Sequence, residues 1–399
     1  MLLLTSLLAV TVPYSCSALV PSFPSRTKSA AARLSYVTFL PHSGRGTPIC
    51  RVSDGFFPLF STPEENDGAA ALGESRDMLK KELDVEPPPK SFFQLQQQAY
   101  RATKLAMEDG VKLMEVEFPP LPAQTLEADD VSAYDVASAN VRLAIDFAMP
   151  FTENGKSVVI LLPDEAERNI NIERLNDGYE KGADCSPFPG LTISSLRVSD
   201  PDDNRLFKPE QIFLNLTGKS SGQVKVRPGT DIYIILVASA QELADVEDLH
   251  QLAPEASIVF FNLKLDVLRG DLGAPAFPPK EFQDRFLSRV KPVYYLRTRQ
   301  YSRSISQPPF LLNYQGCLFR VYPGAFQTLL DTGDGRYRLV ASNEIRQGLG
   351  EFKEELTKSL RASGIIEEEG KTLNFLRTGY KTSTWWEEER PDASMEWRT

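Results

Sequence analysis

Residues 231–238 read Asp-Ile-Tyr-Ile-Ile-Leu-Val-Ala, and this nearly continuous apolar run limits the possible folds more than any other stretch of the chain. A strand wetted on one face alternates polar and apolar side chains, whereas a strand covered on both faces reads apolar throughout. The run therefore predicts an interior strand of a parallel sheet with helices above and below it. Its neighbours agree. Residues 241–252 have the spacing of a crossover helix, 257–262 read as a second buried strand, and 290–296 as another, reached through a helical 282–289. Strand, helix and strand in repetition give the expected class: α/β, a mostly parallel doubly wound, Rossmann-like sheet with helices on both faces.

The flanking segments fill in this plan. Ser91 is placed to cap a helix whose apolar residues Phe92, Leu95, Ala99, Ala102 and Ala106 recur at helical spacing until Gly110 stops it. Residues 111–118 follow as a strand, 133–148 as a helix stopped by Pro150, 157–162 as an apolar β-branched strand, and Asp164 opens another helix. Residues 191–198 read as a strand. Towards the C-terminus the style changes: 316–322 and 337–341 are expected as antiparallel strands around the Asp331-Thr332-Gly333-Asp334-Gly335 turn, and Asn343 caps a helix to Arg361. The expected organisation is a signal peptide at 1–18, a transit segment at 19–53, an acidic, Pro-rich linker at 54–90, the α/β domain at 91–361, and an acidic Trp-containing tail at 362–399.

The first 53 residues contain no Asp or Glu but carry Arg26, Lys28, Arg33, Arg45 and Arg51 behind the apolar stretch 2–12. That stretch is too short to span a bilayer and leads into small residues at Cys16-Ser17-Ala18, as a signal peptide does. The basic, hydroxyl-rich segment after it has the composition of an organelle transit peptide. Together they resemble the bipartite presequence of algae whose plastid is reached through the secretory route, so a plastid destination is expected, in the stroma or at the thylakoid surface. A secreted protein is the alternative. Removing this leader takes away five of the 44 basic residues and none of the 54 acidic ones, leaving a net charge of −15. Such a chain does not suit nucleic acid, because neutralising phosphates requires a basic face. No later apolar run approaches the ~20 residues of a membrane span, so no transmembrane segment is expected and a peripheral association with thylakoids stays open. Beyond the leader only Cys185 and Cys317 remain, without short-range pairing, a usage that fits a reducing compartment.

Chemistry is sparse. His250 is the one histidine outside the leader, so no His-rich metal site is expected, and its place in the last helical turn suits the helix dipole. Gly218-Lys219-Ser220 mimics the end of a phosphate-binding loop, but Phe213 stands where the first glycine belongs. No catalytic residue, metal or cofactor is expected. In an open parallel sheet, ligands sit beyond the carboxyl ends of the strands. Asp164 and Glu165, Ser239 and Gln241, Asn262 and Lys264, and Arg297 all fall at such ends, so they are the candidate ligand rim. Each also has a purely structural reading: Asp164 and Ser239 suit helix caps, Asn262 a tight turn, and Lys264 with Asp266 a solvated pair. The three tryptophans, Trp385, Trp386 and Trp397, lie among acidic residues near the C-terminus; they either dock on a partner or fold back on their own domain.

Several segments together resemble a known family. They are the helix 99–110 leading into Val116-Glu117-Phe118-Pro119, then Val159-Ile160-Leu161-Leu162-Pro163-Asp164-Glu165. Phe260-Phe261-Asn262-Leu263-Lys264-Leu265, Val293-Tyr294-Tyr295-Leu296-Arg297 and Phe319-Arg320-Val321-Tyr322-Pro323-Gly324 complete the set. They resemble the domain of unknown function shared by cyanobacteria and plastids, whose plant members include the low photosystem II accumulation (third) protein and an extension of a plastid adenylate kinase. The resemblance runs over roughly residues 88–361. It implies an α/β plastid domain that assists photosystem II assembly or stability through contacts with photosystem subunits or assembly factors, and it brings no catalytic residue. A small-molecule binder or enzyme using the strand-end rim is the alternative expectation.

Overall fold

Nine strands join in one sheet among the residues described by the structure, a computed structural model: 86–122, 125, 131–175, 184–197, 224–269, 279–304, 310–333, 336–366, 391 and 393–399. They are β1 (Leu113–Glu117), β2 (Val158–Leu162), β3 (Leu191–Ser195), β4 (Ile232–Ile235), β5 (Ser257–Phe261), β6 (Lys291–Ser304), β7 (Leu311–Val321), β8 (Phe326–Asp331) and β9 (Tyr337–Asn343). Their order is β3-β2-β4-β5-β1-β6-β7-β8-β9. The first six are parallel; β6 to β9 form an antiparallel extension. The apolar runs at 231–238 and 257–262 become β4 and β5, adjacent and parallel in the interior, with Ile234 opposite Val259.

The period of two along each strand sorts the side chains between two cores. On one face, Val158, Ile160 and Leu162 of β2 and Phe261 of β5 meet the small residues Ala99, Ala102 and Ala106 of α1 (Phe92–Glu108) and Ala144 and Ala148 of α2 (Ala133–Glu153). Ile172 of α3 (Glu165–Leu175) joins them. On the other face, Val159, Leu161, Tyr233 and Phe260 pack with Leu243, Val246 and Leu249 of α4 (Leu243–Leu252), followed in sequence by the single-turn α5 (Leu265–Arg269), and with Phe282 of α6 (Lys280–Arg285). A third cluster places Phe352, Leu356 and Leu360 of α7 (Leu349–Ala362) against Tyr295, Leu318, Phe326 and Leu330 of the extension.

Caps follow the sequence closely at the N-terminal end. Ser91 accepts from the Gln94 amide at 3.2 Å, Gly110 takes φ +83°, and Asp164 accepts from the Glu167 amide at 2.9 Å. Residue Glu86 and Pro87 do not hang free of the domain: their carbonyls accept from Gln327 at 3.2 Å and Gln98 at 2.9 Å.

Three expectations are corrected. Helix α2 does not stop before Pro150 but continues to Glu153. The turn that contains Pro150 buries Phe151 beside Tyr100 and Phe147, at ring separations of 4.7 and 5.4 Å, and that burial offsets the lost backbone bond. The turn at 331–335 joins β8 to β9, not 316–322 to 337–341; the intervening strand Phe326–Asp331 pairs with both neighbours. Asn343 ends β9 opposite Phe326 and caps nothing, and α7 begins at Leu349 with Gly348 as its cap, where the Glu351 carboxylate accepts from the Gly348 amide at 3.1 Å. The apolar face of that helix starts only at Phe352, so an earlier start would bury nothing more.

Candidate functional site

Strands β1 to β5 end along one edge of the sheet, and Asp164 and Glu165, Ser239 and Gln241, and Asn262 and Lys264 follow β2, β4 and β5 there. Strand β6 runs on to Ser304, so Arg297 is not at a strand end as expected but lies within β6, just past its pairing with β1 and opposite Leu318 of the antiparallel extension. The backbone there is strained at three places. Val237 after β4 has φ +58°, and Asn262 and Lys264 after β5 have φ +54° and +53°. A left-handed β-branched residue is a true outlier, and such strain gathers where surrounding contacts over-determine the chain.

Beyond β5, β1 and β6 the rim is an ionic network. Asn262 is buried; its Oδ1 accepts from the Phe118 amide at 2.8 Å and its Nδ2 donates to Asn140 at 2.9 Å. The Lys264 amide donates to Glu117 Oε2 at 2.9 Å, while the Lys264 side chain is exposed. Glu115 and Glu117 both point to the same face of β1 and are both buried. Burial, then the neighbouring Glu115, push the Glu117 carboxyl up to about 7, against the opposing pull of the Lys264 amide and Arg297. Asp266 holds the centre. It accepts from Tyr295 at 2.6 Å, Arg297 at 2.8 Å and Arg299 at 3.3 Å, and it also bonds Arg346. Arg346 donates in addition to the Tyr295 hydroxyl at 2.7 Å and lies 4.3 Å over that ring. The expected solvated pair of Lys264 and Asp266 is thus corrected: only Lys264 faces water, and Asp266 is a buried anchor for three arginines.

Beyond β2, β3 and β4 the partners are different. Asp164 is exposed and caps α3, and Glu165 lies 3.8 Å from the fully buried Arg168. The Ser239 amide and hydroxyl both donate to the Glu242 carboxylate, the amide at 2.8 Å, and the Ser239 Oγ accepts from the Gln241 amide at 3.2 Å. Arg197, just past β3, clamps this corner through Asp245 at 2.6 Å, Glu242 at 3.5 Å and the Gln241 carbonyl at 3.3 Å. Asn262, Lys264 and Arg297 are therefore brought into one cluster, while Asp164, Glu165, Ser239 and Gln241 serve the strands to the other side.

Sequence reasoning gave no site role to Glu115, Glu117, Tyr295 or Arg346, although Glu117 and Tyr295 fall in the segments that carry the family resemblance. The alternation Met114-Glu115-Val116-Glu117-Phe118 was a usable signal, since two acids on one side of an interior strand demand buried partners. The tail tryptophans divide: Trp385 and Trp386 lie outside the described residues, and Trp397 is 7% exposed in a 3₁₀ turn, Glu396–Arg398. That turn is tied down by the Arg346 amide, which donates to the Arg398 carbonyl at 2.8 Å, and by the Arg346 guanidinium 5.9 Å from the Trp397 ring.

Nucleophiles and metal ligands are poorly placed. Cys185 and Cys317 are free and buried, and burial pushes the Cys317 thiol up to about 12. Burial first, then Arg289 and Lys112, hold His250 below its ordinary range. Among the described residues, no group of three or more His, Cys, Asp or Glu is arranged to hold a metal ion, and no helix is long and apolar enough to cross a membrane.

These features define a doubly wound α/β domain with an antiparallel extension and a strand-end rim bridged by its own ion pairs. The chain belongs to the family described as a domain of unknown function, DUF1995, whose model matches residues 89–354. Neither the curated proteins nor the solved structures contain a match.

Proposed function

We propose that this protein acts in the plastid by contact with other proteins, assisting the assembly or stability of photosystem II, and not through chemistry of its own. The observation that carries this reading is the engagement of the rim: Asn262, Arg297, Ser239 and Asp164 each hold a neighbour of their own chain. A second feature supports it. The antiparallel extension leaves large apolar side chains in water, with Phe310 61%, Leu339 56% and Leu311 51% exposed. Exposed apolar groups on a sheet extension are a usual site of association. The plastid destination rests on the acid-free, basic leader, and the photosystem role on the family resemblance.

The test is immunoprecipitation of tagged protein from illuminated cells. Photosystem II subunits or assembly factors should co-purify, and Leu339→Asp combined with Leu311→Asp should reduce their recovery without lowering the melting temperature by more than a few degrees. Recovery of the protein alone, or of unrelated partners, overturns the reading.

A further inference from the structure

We propose that the turn between β7 and β8 and the first residue of β6 together hold a phosphate group, with Arg320 at the base of the site and Lys291 at its mouth. Arg320 stands on β7 opposite Tyr295 and is 4% exposed. Its Nε donates to the Gly324 carbonyl of the turn at 3.0 Å, which fixes the guanidinium, and the group lies 4.6 Å over the Phe326 ring. The two terminal nitrogens are unused. Nη1 is buried with no partner; Nη2 bonds nothing among the described residues and is not sealed in.

Lys291 opens this arrangement to water. It is half-buried, as are Tyr322 and Pro323 of the turn, and its ammonium lies 5.8 Å from the Tyr322 ring, which the Arg320 guanidinium approaches to 5.9 Å. Among the described residues no carboxylate is within ion-pair distance of either cation. The acids nearby are committed elsewhere: Asp266 and Glu115 hold Arg346, and Asp109 accepts from the Tyr322 hydroxyl at 3.0 Å. Burial, then Arg320, holds Lys291 below its ordinary range, and burial brings Arg320 down to about 10, with Tyr322 opposing the fall and Arg346 adding to it. A buried charge is ordinarily paired, and a guanidinium with spare donors in a planar fork matches carboxylate or phosphate two oxygens at a time. The second cation selects between these. A phosphate group brings about two negative charges and three acceptor oxygens, enough for the Arg320 fork and the Lys291 ammonium together. A carboxylate spends both oxygens on the fork and leaves Lys291 unmatched. The net charge of −10 works against adventitious anion binding, so any anion held here is held by these local donors.

The site is independent of the protein-contact reading, since neither Leu311 nor Leu339 belongs to it; a failed immunoprecipitation leaves it standing. The experiment is calorimetric titration of the full chain at pH 8 and fixed ionic strength with inorganic phosphate, glycerol phosphate and acetate. Phosphate should bind saturably with a submillimolar Kd, and acetate at least tenfold more weakly. Tighter binding of glycerol phosphate identifies the ester as the ligand, and tighter binding of the free ion identifies inorganic phosphate. Lys291→Met, at a half-buried position, should weaken phosphate at least fivefold while keeping the parent melting curve. Arg320→Met should abolish binding; if that variant fails to fold, Lys291→Met and the amide shifts decide. Those shifts, on phosphate addition, should centre on Lys291, Tyr322 and Gly324. No saturable phosphate binding, acetate binding as tightly as phosphate, unchanged binding in Lys291→Met or in folded Arg320→Met, or shifts centred elsewhere would each overturn the assignment.

Discussion

Asn262 shows how much a single side chain can hold in this protein. Its backbone is left-handed, at φ +54°, and its amide joins the ends of β1 and β5 through the Phe118 N–H while reaching Asn140 on α2. Asn262→Ala leaves a buried N–H without an acceptor and keeps a Cβ in a strained conformation, a loss of about 2–4 kcal/mol. Asn262→Gly relieves the strain and should be about 1 kcal/mol milder in urea unfolding; equal losses would show that strain plays no part. Glu117 makes a pH prediction. Its folded pKa, about 7, is above the ordinary 4.5, so between those values the native state holds a proton that the unfolded state has released. Stability therefore falls as pH rises from 4.5 to 7, by an amount on the order of 3 kcal/mol, and levels off above. Glu117→Gln keeps an acceptor for the Lys264 amide and should remove this slope, becoming more stable than the parent at pH 8. Parallel stability curves for the two proteins from pH 4 to 8 would refute it.

Among elements, the antiparallel extension depends on close approach of α7. A Cβ on Gly316 of β7 would lie 2.5 Å from Leu356 Cδ1 and 3.0 Å from the Leu329 carbonyl oxygen. Gly316→Ala should destabilise by about 1–3 kcal/mol as helix and sheet are forced apart, read as a lower urea midpoint; an unchanged midpoint would mean that α7 shifts freely. The C-terminal 3₁₀ turn is a second such element. Removing residues 391–399 exposes the surface under Trp397 and leaves the Arg346 amide without the Arg398 carbonyl. Loss of a buried tryptophan costs roughly 3 kcal/mol, so the truncated chain should melt at a lower temperature while still unfolding cooperatively. An unaltered melt would assign the turn to something other than its own domain.

For the whole molecule, the leader proposed at residues 1–53 carries the prediction. A fusion of residues 1–54 to a fluorescent protein should reach the plastid, and altering Ser17-Ala18-Leu19 should hold it in an outer compartment. Fluorescence in the medium would favour secretion instead. The reach of sequence reading also differs between the two halves of the domain. The parallel half was legible because strands buried on both faces cannot hide: β4 reads Ile-Tyr-Ile-Ile, and β5 is apolar from Ile258 to Phe261. Strand β8 was not, since Phe-Gln-Thr-Leu-Leu-Asp has neither a clean alternation nor a continuous apolar run.

The order of residues by itself determined the class of fold, the caps at Ser91 and Asp164, the stop at Gly110, and the side chains that follow β2, β4 and β5, because each follows from local geometry or from a period of 2 or 3.6 residues. Only the tertiary structure decided what those strand-end groups do. Strand order places β1 between β5 and β6, so that Glu117 meets Lys264, 147 positions further along the chain, and Asp266 meets Arg346, 80 positions further. Whether a charge ends in water or in a buried pair depends on what lies across from it, and that is set by packing between segments far apart in the chain.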